Sequence, residues 1–222
     1  MIYGDYSDDP LADDIEIEPP RINRRNNTMA NTNPTHVTTG KVRFSYEHLL
    51  KPYKSPKAGP DDAPKYSLTV LVPKSDTATM QKINAAIAAA KKRGLETKKY
   101  KDGTPVDKLP TPIWDGDGYR ADGYSEFGPE AKGCWVFTAS CGVDRKPRVV
   151  DVNVQDILDP TEIYSGIYGR VAVDFFPYNF AGKQGVGCCL CNAQKLADGE
   201  PLGATRPSAE DDFGGDDFDP LG

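Results

Sequence analysis

The chain has 222 residues, 33 Asp and Glu against 27 Lys and Arg, and 38% hydrophobic residues. That length suits one domain of ordinary size. No apolar run approaches the roughly 20 residues that cross a bilayer, and no charged start leads into a signal-like stretch, so a soluble intracellular protein is expected.

Residues 1–40 read as a disordered segment, acidic at first and then polar through Asn26-Asn27-Thr28 and Asn31-Thr32-Asn33-Pro34. Met29 opens an alternative start within it. Order is expected from Lys41, where Val42, Phe44 and Tyr46 alternate with Arg43, Ser45 and Glu47 as in a half-buried strand. A turn containing Pro56, Gly59 and Pro60 follows. Lys65 to Val72 alternates again, with Tyr66, Leu68, Val70 and Val72 on one face.

One helix is predicted from about Asp76 to Arg93, capped by Ser75 or Asp76 and ended by Gly94. Met80, Ile83, Ile87 and Ala90 form its apolar stripe, which should lie on a sheet. Lys91, Lys92 and Arg93 sit where the macrodipole favours cations. Residues 95–132 hold no sustained period and read as a long functional or mobile loop. Strand patterns return at 133–139, 148–154, 169–178 and 185–196, and the stretch from Gly199 is rich in Gly, Pro and Asp. One helix among about six strands, several containing Gly, predicts a mainly β fold. The leading form is an OB-fold-like antiparallel barrel over residues 41–203, with a flat sandwich as the alternative.

The charge is unevenly placed. Seven acids lie in residues 1–20 and six in 207–222, neither stretch containing Lys or Arg, which leaves twenty acids against all 27 bases, a body of net +7. A basic body with acidic ends suits a polyanion binder that carries its own competitor. The last segment, 204–222, reads as a disordered tail. In it, Asp211-Asp212-Phe213 and Asp216-Asp217-Phe218 offer carboxylates in place of phosphates and rings in place of bases. Such units can fill the protein's own groove or dock into partner proteins; a merely solubilising tail is the plain alternative.

The strand at 169–178 carries Arg170, Ala172, Asp174, Phe176 and Tyr178 on the face opposite Val171, Val173 and Phe175. Bases can stack on such rings while the guanidinium meets a phosphate; equally, Phe176 and Tyr178 can pack under a loop. Arg43, Lys65, Lys146 and Arg148 are the candidates for phosphates, and Trp135 and Phe137 are second-choice stacking groups with core as the competing fate.

The five cysteines are Cys134, Cys141, Cys188, Cys189 and Cys191. An odd count with two adjacent residues argues for reduced thiols. Cys188 and Cys191 have metal-like spacing but point to opposite strand faces, so small core side chains are the preferred reading and no metal or cofactor is assigned. Asp115-Gly116-Asp117-Gly118 lacks the rest of a calcium loop. Asp115, Asp117 and Asp122 together are the acids a metal-dependent nuclease would use, without a supporting His or Lys signature. No P-loop, dinucleotide fingerprint or nucleophile motif occurs, so no enzyme is expected.

Several segments together carry a resemblance: Lys65-Tyr66-Ser67-Leu68 through Val72-Pro73-Lys74-Ser75-Asp76, Asp115-Gly116-Asp117, Lys146-Pro147-Arg148-Val149-Val150-Asp151, Tyr164-Ser165-Gly166, and Phe176-Pro177-Tyr178-Asn179 leading to Gly185-Val186-Gly187. In order and spacing they resemble a phage-encoded family first catalogued as a domain of unknown function, whose members are regarded as OB-fold single-stranded DNA-binding proteins. The resemblance covers about residues 40–203. It implies an OB fold, single-stranded DNA bound with little sequence preference, and a role in phage replication or recombination in the cytoplasm of an infected bacterium. Tail-mediated contacts with replication or recombination proteins would follow. In many such proteins the aromatic is the last residue, whereas here Asp219-Pro220-Leu221-Gly222 follows Phe218. The alternatives are a structural or protein-docking phage module and the nuclease.

Overall fold

The computed structural model describes residues 33–203 apart from Lys57, Ala58, Asp61, Ala121 and Ala181. The expectations for residues 1–32 and for Asp211, Asp212, Phe213, Asp216, Asp217 and Phe218 lie outside the described residues.

The strands are β1 (His36–Thr38), β2 (Val42–Tyr53), β3 (Lys65–Pro73), β4 (Trp114–Asp115), β5 (Cys134–Gly142), β6 (Arg148–Val150), β7 (Tyr168–Phe180) and β8 (Lys183–Ala197). β2, β3, β5, β8 and β7 form a ring, with β7 paired to both β8 and β2. Five strands cannot alternate in direction all the way round a ring, so at least one seam must be parallel. It is β5 against β8, the exception in a ring whose other pairings are antiparallel as expected from sequence, and it consists of the single rung Ser140–Cys189. This thin seam keeps the ring from closing as a regular barrel, in keeping with the partly open Greek-key ring of an OB fold. β6 adds to β8 in parallel, β1 to β7, and β4 to β5.

The interior is the alternating set read from sequence: Phe44, Leu68, Val70, Val72, Val171, Val173 and Phe175 are all buried. Removing each of these side chains from water stabilises the fold by about 1.5–3 kcal/mol before entropy is charged. The helix α1 (Thr77–Glu96) is capped by Asp76, whose side chain accepts from the Thr79 amide at 3.0 Å. It covers β7 with Ile83, Ala86, Ile87 and Ala90. Gly94 does not end it. A Cβ there would sit 2.2 Å from the Tyr100 ring, so this glycine serves close approach and the helix continues to Glu96.

Three strand bounds moved for local reasons. β1 lies upstream of Lys41, too short to show a period, and is held by pairing to β7. β6 stops at Val150 because Asp151 Oδ1 accepts from the amides of Asn153 and Gln155, both at 2.8 Å, and turns the chain. β2 gains a bulge: Ser45 faces Thr69 and His48 faces Ser67, three residues against two.

Candidate nucleic-acid interface

The outer faces of β2, β3 and β5 make one continuous strip. Residues opposite one another in antiparallel strands share a face, and the registers place Thr69 beside Thr138, Ser67 beside Ser140, and Lys65 beside Gly142. The floor is therefore lined by small hydroxyls; Thr69 and Thr138 Oγ1 are 3.0 Å apart. From Leu71 to Lys65 it runs roughly 20 Å.

Aromatic side chains stand along this floor. At the bulge of β2, Tyr46 has φ +43° and is 61% exposed. Sequence alternation had put it in the core; the extra residue breaks the period and turns the ring outward. Further along β2, His48 and Tyr53 stack at 4.4 Å with a 12° interplanar angle. Partial burial lowers the His48 pKa from its usual value, so at neutral pH it offers a ring rather than a charge. On the other side, Trp114 of β4 is 40% exposed, and Phe127 packs on Leu71, Ala131 and Val136. Arg120 lies over the Phe127 ring at 5.0 Å and donates to the Glu126 carbonyl at 3.1 Å. Tyr46, Trp114, Arg120 and Phe127 line a cleft of about 310 Å³.

The segment carrying Trp114, Arg120 and Phe127 is the one read as structureless. It is held down by Lys74, whose ammonium bonds both Asp115 and Asp117, the latter at 2.7 Å, and lies over the Trp135 ring at 5.1 Å. Asp117 also accepts from the Gly133 amide at 2.9 Å. Gly116 passes so close to the backbone that a Cβ would fall 2.1 Å from the Ala131 carbonyl oxygen. Lys74 and hydrogen bonds hold the Asp115 and Asp117 carboxyls below their usual values, and the same bonds raise Lys74. The carboxylates contribute stability that is complete above about pH 3.9 and lost as pH falls toward their lowered values. The lysine's part is complete below about pH 10.4 and lost above it. The chain's two tryptophans, Trp114 and Trp135, flank this clamp. Tryptophan emission should therefore stay level across neutral pH and shift in acid, and Lys74→Met should move the acid shift toward neutrality.

The strip leads at its Lys65 end into a second cleft, of about 500 Å³, above the thin β5–β8 seam. Lys65, Arg93 and Arg145 give it three cations against one acid, Asp174, and Phe176 on its wall is 43% exposed. A polyanion crossing the strip would meet rings first and positive charge next.

The residues singled out from sequence do not form one site. Lys65 and Phe176 meet in the second cleft. Arg170 is six residues from Phe176, roughly 20 Å along the strand, and donates to the Thr39 carbonyl at 3.2 Å. Tyr178 is half-buried over Gly185 beside Pro110. Arg43 bonds the carbonyls of Gly166 and Glu200 at 3.2 and 2.7 Å. Arg148 pairs with Asp156 at 2.9 Å, and with Lys146 it borders another surface beside β6. Trp135 and Phe137 both point inward; Phe137 is 1% exposed and tilts on Phe175, which corrects its assignment as a stacking group. Asp122 accepts from the amides of Tyr124 and Ser125 as a turn residue. Sequence missed Tyr46, Trp114, Arg120 and Phe127, and left Arg93 and Arg145 without an assigned role. The one available signal was the run of aromatics at Trp114, Tyr119, Tyr124 and Phe127 within a loop too polar to need them.

Solved structures share this architecture. The single-stranded DNA-binding protein from bacteriophage Enc34 in complex with ssDNA is similar with a TM-score of 0.60 and 29% identity, over 76% of this chain and 90% of that one. Another structure of the bacteriophage Enc34 protein gives 0.54 and 27%, over 81% and 90%. Bacteriophage T7 gp2.5, a single-stranded DNA binding protein, shares the fold at a TM-score of 0.53 and 16% identity, over 79% and 96%. No curated protein matches the chain. The family model described as Enterobacter phage Enc34, ssDNA-binding protein, matches residues 35–220, and the chain belongs to that family.

Proposed function

We propose that this protein binds single-stranded DNA along the strip from Trp114 and Tyr46 to Arg93 and Phe176, without catalysis and with little sequence preference. The observation that carries the reading is the row of exposed rings that β2 and β4 set along the strip, continuous with a cleft of net positive charge. Rings accept any base through its π-face, and cations track the backbone, so neither reads base edges. The role that fits is passive coating of strands exposed during phage replication or recombination in the host cytoplasm. Among the described residues no helix is long and apolar enough to cross a membrane. The nuclease reading loses support because the Lys74 ammonium sits between Asp115 and Asp117. The acidic, Phe-containing tail is proposed to compete for the strip or to recruit replication or recombination proteins.

The test is titration of oligo-dT followed by tryptophan emission, with the full chain and with a chain ending at Arg206, at low and moderate salt. Quenching should vanish in Trp114→Phe, which keeps a ring but loses the reporter, and persist in Trp135→Phe. Three cations in the second cleft predict a log–log salt slope of about −2, at roughly −0.7 per phosphate. Arg93→Ala should make that slope shallower by about 0.7, whereas Arg148→Ala should leave it unchanged. Tighter binding on truncation supports the competing tail, and unchanged binding leaves the tail to partners. Absence of binding by either chain overturns the reading and favours a protein-docking module.

A further inference from the structure

Three neighbouring strands bring together a set of side chains that the DNA reading does not use. His36 on β1 faces Asp174 on β7, and the two are joined by a contact of 2.7 Å between Nδ1 and Oδ1. Across the next seam Asp174 faces Cys189 of β8, and the register then slips: Ala172 pairs Asn192 while Val173 pairs Leu190. Cys191 is the extra residue. Its thiol donates to Asp174 Oδ2 at 3.4 Å. Bulges commonly re-aim a side chain in this way. The nitrogen, oxygen and sulfur all lie within 4.8 Å of one another, and all three residues are partly buried.

We propose that His36, Asp174 and Cys191 form a binding site for a zinc-class divalent cation. The donor set is one imidazole nitrogen, one carboxylate oxygen and one thiolate, each a common zinc ligand. A tetrahedral centre with ordinary bond lengths places such donors about 3.3–3.6 Å apart. The Sγ–Oδ2 contact of 3.4 Å falls within that range, and the Nδ1–Oδ1 contact of 2.7 Å has to widen by roughly 0.6 Å, a side-chain adjustment. Binding replaces the thiol proton, which leaves to solvent, and shifts the His36 proton from Nδ1 to Nε2, so that the His36–Asp174 contact becomes two metal bonds. One coordination position remains for water. The site is distinct from the Cys188–Cys191 pair suggested by spacing: Cys188 is buried on the other face of β8. Asp174 also lines the second cleft, so a bound cation would cancel the one acid found among its charged groups.

The site is independent of the DNA reading, and its test does not use DNA. The full chain is expressed in zinc-supplemented medium, kept reduced, gel-filtered without chelator and analysed by atomic emission, with one equivalent of zinc expected. Exchange with cobalt should give a thiolate-to-cobalt charge-transfer band. The band should survive Cys134→Ser, which alters a thiol on β5, and be lost in Cys191→Ser. His36→Gln, a polar replacement on the short edge strand, should weaken zinc binding in competition with a chromophoric chelator. Circular dichroism of each variant separates loss of metal from loss of fold. A chain that retains no zinc and develops no cobalt band, or a folded Cys191→Ser with the parental band, overturns the proposal.

Discussion

Tyr46→Gly should make the protein more stable and a poorer DNA binder at once. Tyr46 holds a left-handed backbone at the β2 bulge, with φ +43°. That region costs an L-residue about 1–2 kcal/mol, and glycine is the residue such bulges ordinarily carry. Replacement relieves the strain and gives back about 0.5–1 kcal/mol in unfolded-chain entropy. The net gain of about 0.5–1 kcal/mol corresponds to about 1–4 °C in Tm for a chain of this size. The side chain is 61% exposed, so little packing is lost. Removing a stacking ring costs about 1–3 kcal/mol per base, a loss of roughly 5- to 150-fold in oligo-dT affinity. Tyr46→Ala keeps the strain and should show the binding loss without the stability gain. A strained, exposed aromatic that improves nothing inside the fold is explained by what it does outside it. Parental affinity in a folded Tyr46→Gly would remove Tyr46 from the interface.

Much of the fold was legible because a buried face forces alternation. The interior sides of β3 and β7 and the stripe of α1 stand as read, since Leu68, Val70, Val171, Val173, Ile83 and Ile87 leave the chain few other ways to bury them. The functional face was less legible, for three physical reasons. A one-residue bulge reverses the face of everything around it, and nothing in Arg43-Phe44-Ser45-Tyr46-Glu47 marks where it falls. On β5 both faces carry apolar residues, because the 114–131 segment covers Val136 from outside while Phe137 fills the interior; alternation alone cannot say which side is which. The fate of each cation depends on distant partners. Arg43 is captured by carbonyls 123 and 157 residues away, and Lys74 by two acids of the loop, while Lys65, Arg93 and Arg145 converge from β3, α1 and the turn after β5. Charge counting gave the basic body correctly in sum and could not give its distribution.

The β5 ambiguity yields the second large effect, in which stability and binding separate in the opposite sense. Phe137→Ala should lower stability by about 3–5 kcal/mol, the usual cost of emptying a phenyl-sized space in a packed core. The ring is 1% exposed and lies 6.4 Å from Phe175 between centroids, so its loss leaves a gap inside the packed interior. A fall of about 6–20 °C in Tm follows for a chain of this length. Trp114→Ala should do the reverse. Its ring is 40% exposed, so stability should fall less than in Phe137→Ala while affinity falls by the stacking term of about 1–3 kcal/mol. Because Phe137→Ala can be too unstable to assay, Phe137→Leu supplies the decisive binding measurement: it keeps a branched apolar side chain in the space and so costs less than the alanine change. Its oligo-dT affinity and salt slope should equal the parent's. A tenfold loss in folded Phe137→Leu would mean that β5 turns its aromatic face toward DNA, and the strip would have to be moved to the opposite side of the strand.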